Sequence, residues 1–268
     1  MLTLVDHRTG LLQRGTKGPP VVLLHSLGLD KHMWEPIVDG LASGRRVFAY
    51  DLRGHGEACG SPRPFTLRDT ARDLIAVLDA LGLDTAHVVG LSYGGAIAQT
   101  AAIESPDRFA SLALLATTDR AFPDVFERRA AGAEADGMPA QVEDTLNRWF
   151  TAETLAAQTA GVRYARDCLL AMDPADWAAA WRSMKDLDAQ GRLAGFTAPV
   201  LVAAGGADVS GPTAVLRQVA DGIPGAIFRE LPGVPHMQTL ERAKEVAVAL
   251  DEFLPRCDVQ GGCPGRWR

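Results

Sequence analysis

No stretch of this chain approaches the roughly 18–20 consecutive apolar residues that a bilayer-spanning helix needs, so no membrane partner is expected. Positive charge is not in excess either: 27 Lys and Arg stand against 33 Asp and Glu, a formal net charge of −6. Nucleic-acid binding rests on clustered Lys and Arg that neutralise phosphates, and this balance argues against such a partner. Cysteine is scarce. Cys59, Cys168, Cys257 and Cys263 are scattered and fit no zinc-ligand spacing, so no metal site is expected. The opening MLTLVDHRTG has no basic region followed by an apolar stretch; no secretory signal is expected, and the cytoplasm is the default compartment. Repeats are missing, and compositional bias is confined to the end, PRCDVQGGCPGRWR, where 256–268 reads as a disordered tail. Whether Cys257 and Cys263 pair there is left open.

What is present is a globular mix. Hydrophobic residues make up 47% and charged residues 22% of 268 residues, enough for one large α/β domain or for a core carrying an insertion. Short β-rich segments at Leu2–Val5 and Leu11–Arg14 lead to an apolar strand, Val21–Leu24. A helix around His32–Ala42 follows, then a strand Val47–Tyr50 that ends at Asp51. The next helix starts at Thr66, where Thr66-x-x-Asp69 has the form of a capping box with Asp in the usual Glu or Gln place. Leu67, Leu74, Ile75, Leu78 and Leu81 then recur on one face, and Gly82 stops the helix. Ala86–Val89 reads as a strand, Gly94–Glu104 as a helix of small residues, and Ser111–Ala116 as a further strand. This alternation implies a mostly parallel central sheet flanked by helices.

The alternation then stops. From Asp119 to Gln190 no buried strand is expected; the segment is rich in Ala, Asp, Glu and Arg, and carries Trp149, Phe150, Tyr164, Trp177 and Trp181. It reads as three or four inserted helices. Strands Pro199–Ala204 and Ala226–Glu230 and a last helix near Thr239–Phe253 resume the rhythm. The expected division is a core of 1–118 with 191–255, a helical cap of 119–190, and the tail.

Gly90-Leu-Ser-Tyr-Gly94 fits G-x-S-x-G, with a strand leading in and a helix leading out, the setting of a nucleophile elbow. Ser92 would hold a strained backbone there, and side chains two positions to either side would collide where helix meets strand. A lone serine hydroxyl is a weak nucleophile at neutral pH and needs a base, itself oriented by a third group. His236, in the loop Pro232-Gly-Val-Pro-His236, is the only histidine beyond the elbow. The acid is expected between the two in sequence. Asp208, in Gly205-Gly-Ala-Asp208 just past a buried strand, is the leading candidate; Asp119, just after the preceding strand, competes with it. Backbone N–H groups must also meet the oxyanion. Tyr93 supplies one, and Leu27, in His25-Ser-Leu-Gly28, is the choice for the other. His25 and His55 read as hydrogen-bonding residues of their loops.

Taken together, His25-Ser-Leu-Gly28, Asp51-Leu-Arg-Gly-His-Gly56, Gly90-Leu-Ser-Tyr-Gly-Gly95, Gly205-Gly-Ala-Asp208 and His236 resemble the α/β-hydrolase superfamily over nearly all of 1–255. Within it the chain is most similar to the 3-oxoadipate enol-lactonase group. The residues that carry this are Ser-Leu-Gly of the oxyanion loop, His32-Met-Trp34, and Gly137-Met138 leading to Arg148-Trp-Phe-Thr151. It departs at Tyr93, where methionine is more usual, at Glu57-Ala-Cys59, and at Pro235. The resemblance implies the α/β-hydrolase fold, with the cap inserted after the strand that follows the nucleophile helix. It further implies a serine hydrolase that cleaves a small-molecule ester or lactone through an acyl-enzyme, without metal or organic cofactor. The resemblance makes Arg148, beside Trp149, the candidate cation for a substrate carboxylate; a solvated helix arginine is the alternative. Trp177 and Trp181 either join an apolar wall or pack helix on helix. Three other activities fit the same residues: a promiscuous carboxylesterase or perhydrolase, a hydrolase of carbon–carbon bonds in 1,3-dioxo compounds, and a slow-turnover ligand sensor. Oligomeric state is not legible at this level.

Overall fold

The structure, a computed structural model, describes residues 1–258, with side chains through residue 254. Of the tail expected over 256–268, residues 256–258 continue the last helix; the remainder, with any pairing of Cys257 and Cys263, lies outside the described residues.

Two short strands, β1 (Leu2–Thr3) and β2 (Arg8–Thr9), form an antiparallel pair at the start of the chain. The main sheet is built from β3 (Leu11–Arg14), β4 (Pro20–Leu24), β5 (Arg46–Tyr50), β6 (Ala86–Leu91), β7 (Phe109–Leu115), β8 (Val200–Gly205) and β9 (Ile227–Leu231). Its order is β3-β5-β4-β6-β7-β8-β9, with β3 antiparallel to β5 and every other neighbour parallel. All residues of β6 and β8 are buried, as befits central parallel strands covered on both faces.

The connections are α1 (Glu35–Leu41), α2 (Leu67–Ala80) and α3 (Tyr93–Glu104). Both halves of the expected capping box form on α2: the Thr66 hydroxyl accepts from the Asp69 N–H at 3.2 Å, and the Asp69 carboxylate accepts from the Thr66 N–H at 2.8 Å. Such a cap is worth about 1 kcal/mol. Leu67, Leu74, Val77 and Leu78 are buried on the face this defines, while Ile75 and Leu81 are only half covered.

Between β7 and β8 the chain leaves the sheet for α4 (Pro123–Trp149), α5 (Ala152–Ala156), α6 (Ala160–Ala171) and α7 (Pro174–Ser183). The first of these is two helices joined at a kink. Gly137 takes φ 75° and ψ 170°, outside the helical region, and Pro139 follows in the first turn of the second half. Thr151, Thr159 and Asp173 cap the next three helices through their side-chain oxygens. After β8 comes α8 (Thr213–Asp221), which the sequence reading did not place, and after β9 come α9 (Gln238–Glu241) and α10 (Ala243–Asp258). The single last helix expected near Thr239–Phe253 is thus divided at Arg242, whose φ of −130° is not helical.

The parallel strands bring their carboxyl ends to one edge, where open α/β sheets place functional groups. Leu27 follows β4 there, Ser92 follows β6, Asp208 follows β8 and His236 follows β9, while α4–α7 are inserted after β7 at the same edge. The loop after β4 is fixed from below: the buried Asp51 carboxylate accepts from the Lys31 N–H at 2.9 Å, from Lys31 Nζ at 2.8 Å and from the Glu57 N–H at 2.9 Å. The helical excursion is tied to this edge by Tyr164, whose hydroxyl donates to Asp30 Oδ1 at 2.7 Å, and by the Met237 N–H, which donates to the Trp149 carbonyl at 3.0 Å. Gly28 forms part of the seam. It has φ +84°, and a Cβ there would lie 2.8 Å from the Trp177 ring and 2.9 Å from the Leu169 side chain. Gly28→Ala is therefore expected to lower unfolding free energy by about 2–4 kcal/mol, from overpacking and left-handed strain together. Urea titration measures this, and an unchanged midpoint would show that the seam yields freely.

Candidate active site

The turn between β6 and α3 is the most constrained part of the edge. Ser92 sits at φ 54°, ψ −112°, a conformation that costs a side-chain-bearing residue on the order of 1–3 kcal/mol. Its surroundings hold it there. The Ser92 N–H donates to the Leu115 carbonyl at 2.9 Å, and its own carbonyl accepts from the Ala96 N–H at 3.1 Å and from the Thr117 hydroxyl at 2.8 Å. The flanking glycines are required by space. A Cβ at Gly90 would strike the Gly94 carbonyl, one at Gly94 would strike the Leu24 carbonyl, and one at Gly95 would come within 2.7 Å of Thr117.

Two loops deliver the partners of Ser92. His236 Nε2 lies 3.0 Å from Ser92 Oγ, and His236 Nδ1 lies 2.8 Å from Asp208 Oδ2. The other carboxylate oxygen, Asp208 Oδ1, accepts from the N–H groups of Ser210 at 2.7 Å and Gly211 at 2.9 Å. Three donors thus satisfy a buried carboxylate, as burial of charge demands. With Nδ1–H given to Asp208, the imidazole turns its Nε2 lone pair toward the Ser92 hydroxyl. The competing carboxylate, Asp119, is buried elsewhere: its Oδ1 lies 3.7 Å from Arg120 Nε, and no hydrogen bond joins it to His236.

Leu27 and Tyr93 both line the cavity above Ser92. Tyr93 is the first residue of α3, so its N–H belongs to the helix-end donors that have no partner within the helix. The loop carrying Leu27 is anchored by His25. The His25 ring donates from Nδ1 to the Ser26 carbonyl at 2.8 Å and accepts at Nε2 from the Leu52 N–H at 2.8 Å, while the Gly94 N–H donates to the His25 carbonyl at 3.1 Å. His55 donates from Nδ1 to the Arg53 carbonyl at 2.9 Å and packs edge-on against His25, ring centroids 5.2 Å apart. Burial pushes the His25 imidazole below its ordinary range, and burial reinforced by the nearby His25 pushes His55 down to about 3. Both are neutral rings of the scaffold.

Above Ser92 and His236 opens a cavity of about 340 Å³, walled by Phe126, Trp149, Trp181 and Met184 together with the half-exposed Phe122. Trp177 stands behind this wall, its indole N–H donated to the Arg129 carbonyl at 3.1 Å. Arg148 lines the cavity and, among the described residues, donates only to the Thr145 hydroxyl, at 3.0 Å. Arg129, which sequence reading missed, lines it too, its guanidinium 4.5 Å from the Trp181 ring centroid. Among the described residues neither guanidinium has a carboxylate partner. Burial, followed by the charges of Arg148 and Arg128, pulls Arg129 down to about 10; burial also lowers Arg148, against the opposing pull of Asp144.

This order of sheet, elbow and loops agrees with a family profile described as alpha/beta hydrolase fold, which matches residues 19–243. The chain belongs to the α/β-hydrolase family. Among its relatives, 3-oxoadipate enol-lactonase 1 of Acinetobacter baylyi is 34% identical over 198 residues, 71% of either chain. The pimeloyl-[acyl-carrier protein] methyl ester esterase of Chromobacterium violaceum is 32% identical over 251 residues, 89% of this chain and 95% of its own. The crystal structure of the enol-lactonase from Burkholderia xenovorans LB400 superposes with a TM-score of 0.89 at 31% identity, covering 94% of this chain and 98% of that one. Among α/β hydrolases the chain thus has enol-lactonase and esterase relatives, as the resemblance in its motifs implied.

The buried histidines have a measurable consequence. Unfolded, His55 takes up a proton near its ordinary value of 6.5; folded, it does so only near 3. Between these values the unfolded chain binds the extra proton. Stability is therefore full above the window and is lost as pH falls through it, by up to about 1.4 kcal/mol per pH unit. Urea unfolding of wild type and His55→Asn at pH 6 and pH 4 should show a shallower decline in the variant. Parallel declines would mean that His55 is protonated in the native state.

Proposed function

We propose that this chain is a serine hydrolase that cleaves a carboxylic ester or lactone through an acyl-enzyme, with a carboxylate-bearing, enol-lactone-like compound as its substrate. The observation that carries the proposal is the hydrogen-bonded line Asp208–His236–Ser92 opening into a cavity lined by two arginines that, among the described residues, lack carboxylate partners. Residues 119–190 act as a cap on a core of 1–118 and 191–255.

In this reading Ser92 Oγ attacks the carbonyl carbon while His236 Nε2 takes its proton, and Asp208 stabilises the imidazolium that results. Negative charge develops on the carbonyl oxygen and is met by the N–H groups of Leu27 and Tyr93. Collapse breaks the carbonyl–oxygen single bond, and His236 returns the proton to the departing oxygen. In a lactone that oxygen stays in the same molecule as the acyl group. Water, deprotonated by His236, then attacks the acyl-enzyme and releases Ser92. Arg129 and Arg148 bind the substrate's free carboxylate, which supplies the counter-charge they lack. Phe126, Trp149 and Trp181 cover its apolar body.

The roles separate by mutation. A fluorophosphonate should label Ser92, and Ser92→Ala should abolish turnover; an adduct on any other residue would remove the assignment. Asp208→Asn should lose about four orders of magnitude in kcat, the scale for losing the carboxylate that orients a histidine base, and Asp119→Asn far less. The reverse ranking would make Asp119 the acid. Arg129→Ala and Arg148→Ala should each lower kcat/KM for a carboxylated lactone by about 1.5–3 kcal/mol, and for p-nitrophenyl acetate much less. Equal losses on both substrates would instead point to an esterase of neutral compounds, with the arginines supporting the cap.

A further inference from the structure

We propose that the Tyr93 side chain is a positioning residue: its hydrogen bond to Ser183 seats the cap on the nucleophile turn and so sets where the Tyr93 N–H meets the oxyanion. This rests on the assignment of Ser92 as nucleophile and of the Tyr93 N–H as an oxyanion donor.

Tyr93 is fully buried, and its hydroxyl lies 2.9 Å from Ser183 Oγ. Ser183 is the last residue of α7 and is itself buried, and its hydroxyl donates to the Ala180 carbonyl at 2.7 Å. The serine proton is therefore committed, and Tyr93 must be the donor between the two. Burial holds the phenol well above its ordinary range, so that proton is always available. The Thr70 hydroxyl on α2 is a further neighbour of the same group. On its other side the Tyr93 ring packs against His55, centroids 6.0 Å apart, and His55 packs against His25. His25 in turn leads into the loop that presents Leu27.

Tyr93 thus stands where three parts meet: the turn that strains Ser92, the loop that carries the second oxyanion donor, and the end of the last cap helix. Its backbone borders the cavity and its side chain grips the cap. A phenylalanine would fill the same space with the same ring contacts and lose only the hydroxyl's polar contacts, to Ser183 and the neighbouring Thr70. Since a buried hydroxyl left without a partner is costly, the hydrogen bond favours the seated cap over a displaced one. A shift of α7 is passed through a rigid ring to the residue adjoining Ser92, and small misplacements of reacting groups have large effects on rate.

The test is a double-mutant cycle of Tyr93→Phe and Ser183→Ala in the full chain, with p-nitrophenyl acetate turnover, fluorophosphonate labelling of Ser92 and urea unfolding measured on each protein. Each single variant should lose about tenfold in kcat, a part of the 10²–10³ that follows loss of a whole oxyanion donor, with KM changed less than about twofold. The double variant should fall no further than the worse single variant, because the bond the two residues share is already lost in either one. Labelling should slow in parallel. Unchanged kcat in both single variants with only a lower unfolding midpoint would overturn the proposal, as would losses that multiply in the double variant. If Ser92 of the wild-type protein fails to label, the nucleophile assignment falls and the proposal with it. Normal wild-type labelling with unaffected variants overturns the positioning role alone.

Discussion

The carboxyl edge of the sheet is arranged around one residue held where a side-chain-bearing residue is strained. Ser92 takes its positive φ because β6 enters the turn from between two parallel neighbours, Leu24 opposite Gly90 on one side and Leu115 opposite Leu91 on the other. Those neighbours supply the Leu115 carbonyl that fixes the Ser92 N–H and the Leu24 carbonyl that leaves room only for a glycine at 94. Removing either strand from register would release the turn. The loops with Asp208 and His236 share the same scaffold: the Ala207 N–H donates to the Val234 carbonyl at 3.0 Å, and a Cβ on Gly205 would collide with it. The loops that carry Asp208 and His236 are thus braced against one another before either side chain reaches toward Ser92.

Charge burial sorts the rest of the molecule. Lys31 is paired with Asp51 and Glu57, and Arg53 holds Asp6 and Asp73 through four hydrogen bonds between 2.8 and 2.9 Å. Arg45 is paired with Asp251. The buried cations thus each meet an anion, whereas Arg129 and Arg148, half-buried in the cavity wall, have no carboxylate partner among the described residues. Both line the cavity that Ser92 and His236 also line.

Local constraints were the legible part of the sequence. The spacing Gly90-Leu-Ser-Tyr-Gly94 reports collisions between adjacent backbone segments, and Thr66-x-x-Asp69 reports hydrogen bonds closed within one turn, so both can be read without knowing the fold. The strands of the core were visible as apolar runs. Arg129 was not legible, because it lies beside Arg128 on α4 and only the packing of that helix against α7 decides which of the two faces the cavity. Arg148 was named from resemblance, not from its own neighbours. The helix α8 escaped notice because it is nine residues long, starts behind Pro212, and buries only Leu216, Val219 and Ala220. The role of the Tyr93 hydroxyl depends on Ser183, ninety residues away, and no local pattern announces such a pairing.

The hydrogen bond from the Met237 N–H to the Trp149 carbonyl joins the end of α4 to the residue that follows His236. The Trp149 wall of the cavity and the backbone that carries the imidazole are consequently joined directly. An outward swing of that helix end pulls on the backbone one position from the ring that faces Ser92. In the proposed reaction such a pull would turn the imidazole away from the Ser92 hydroxyl, whose proton would then lose its acceptor.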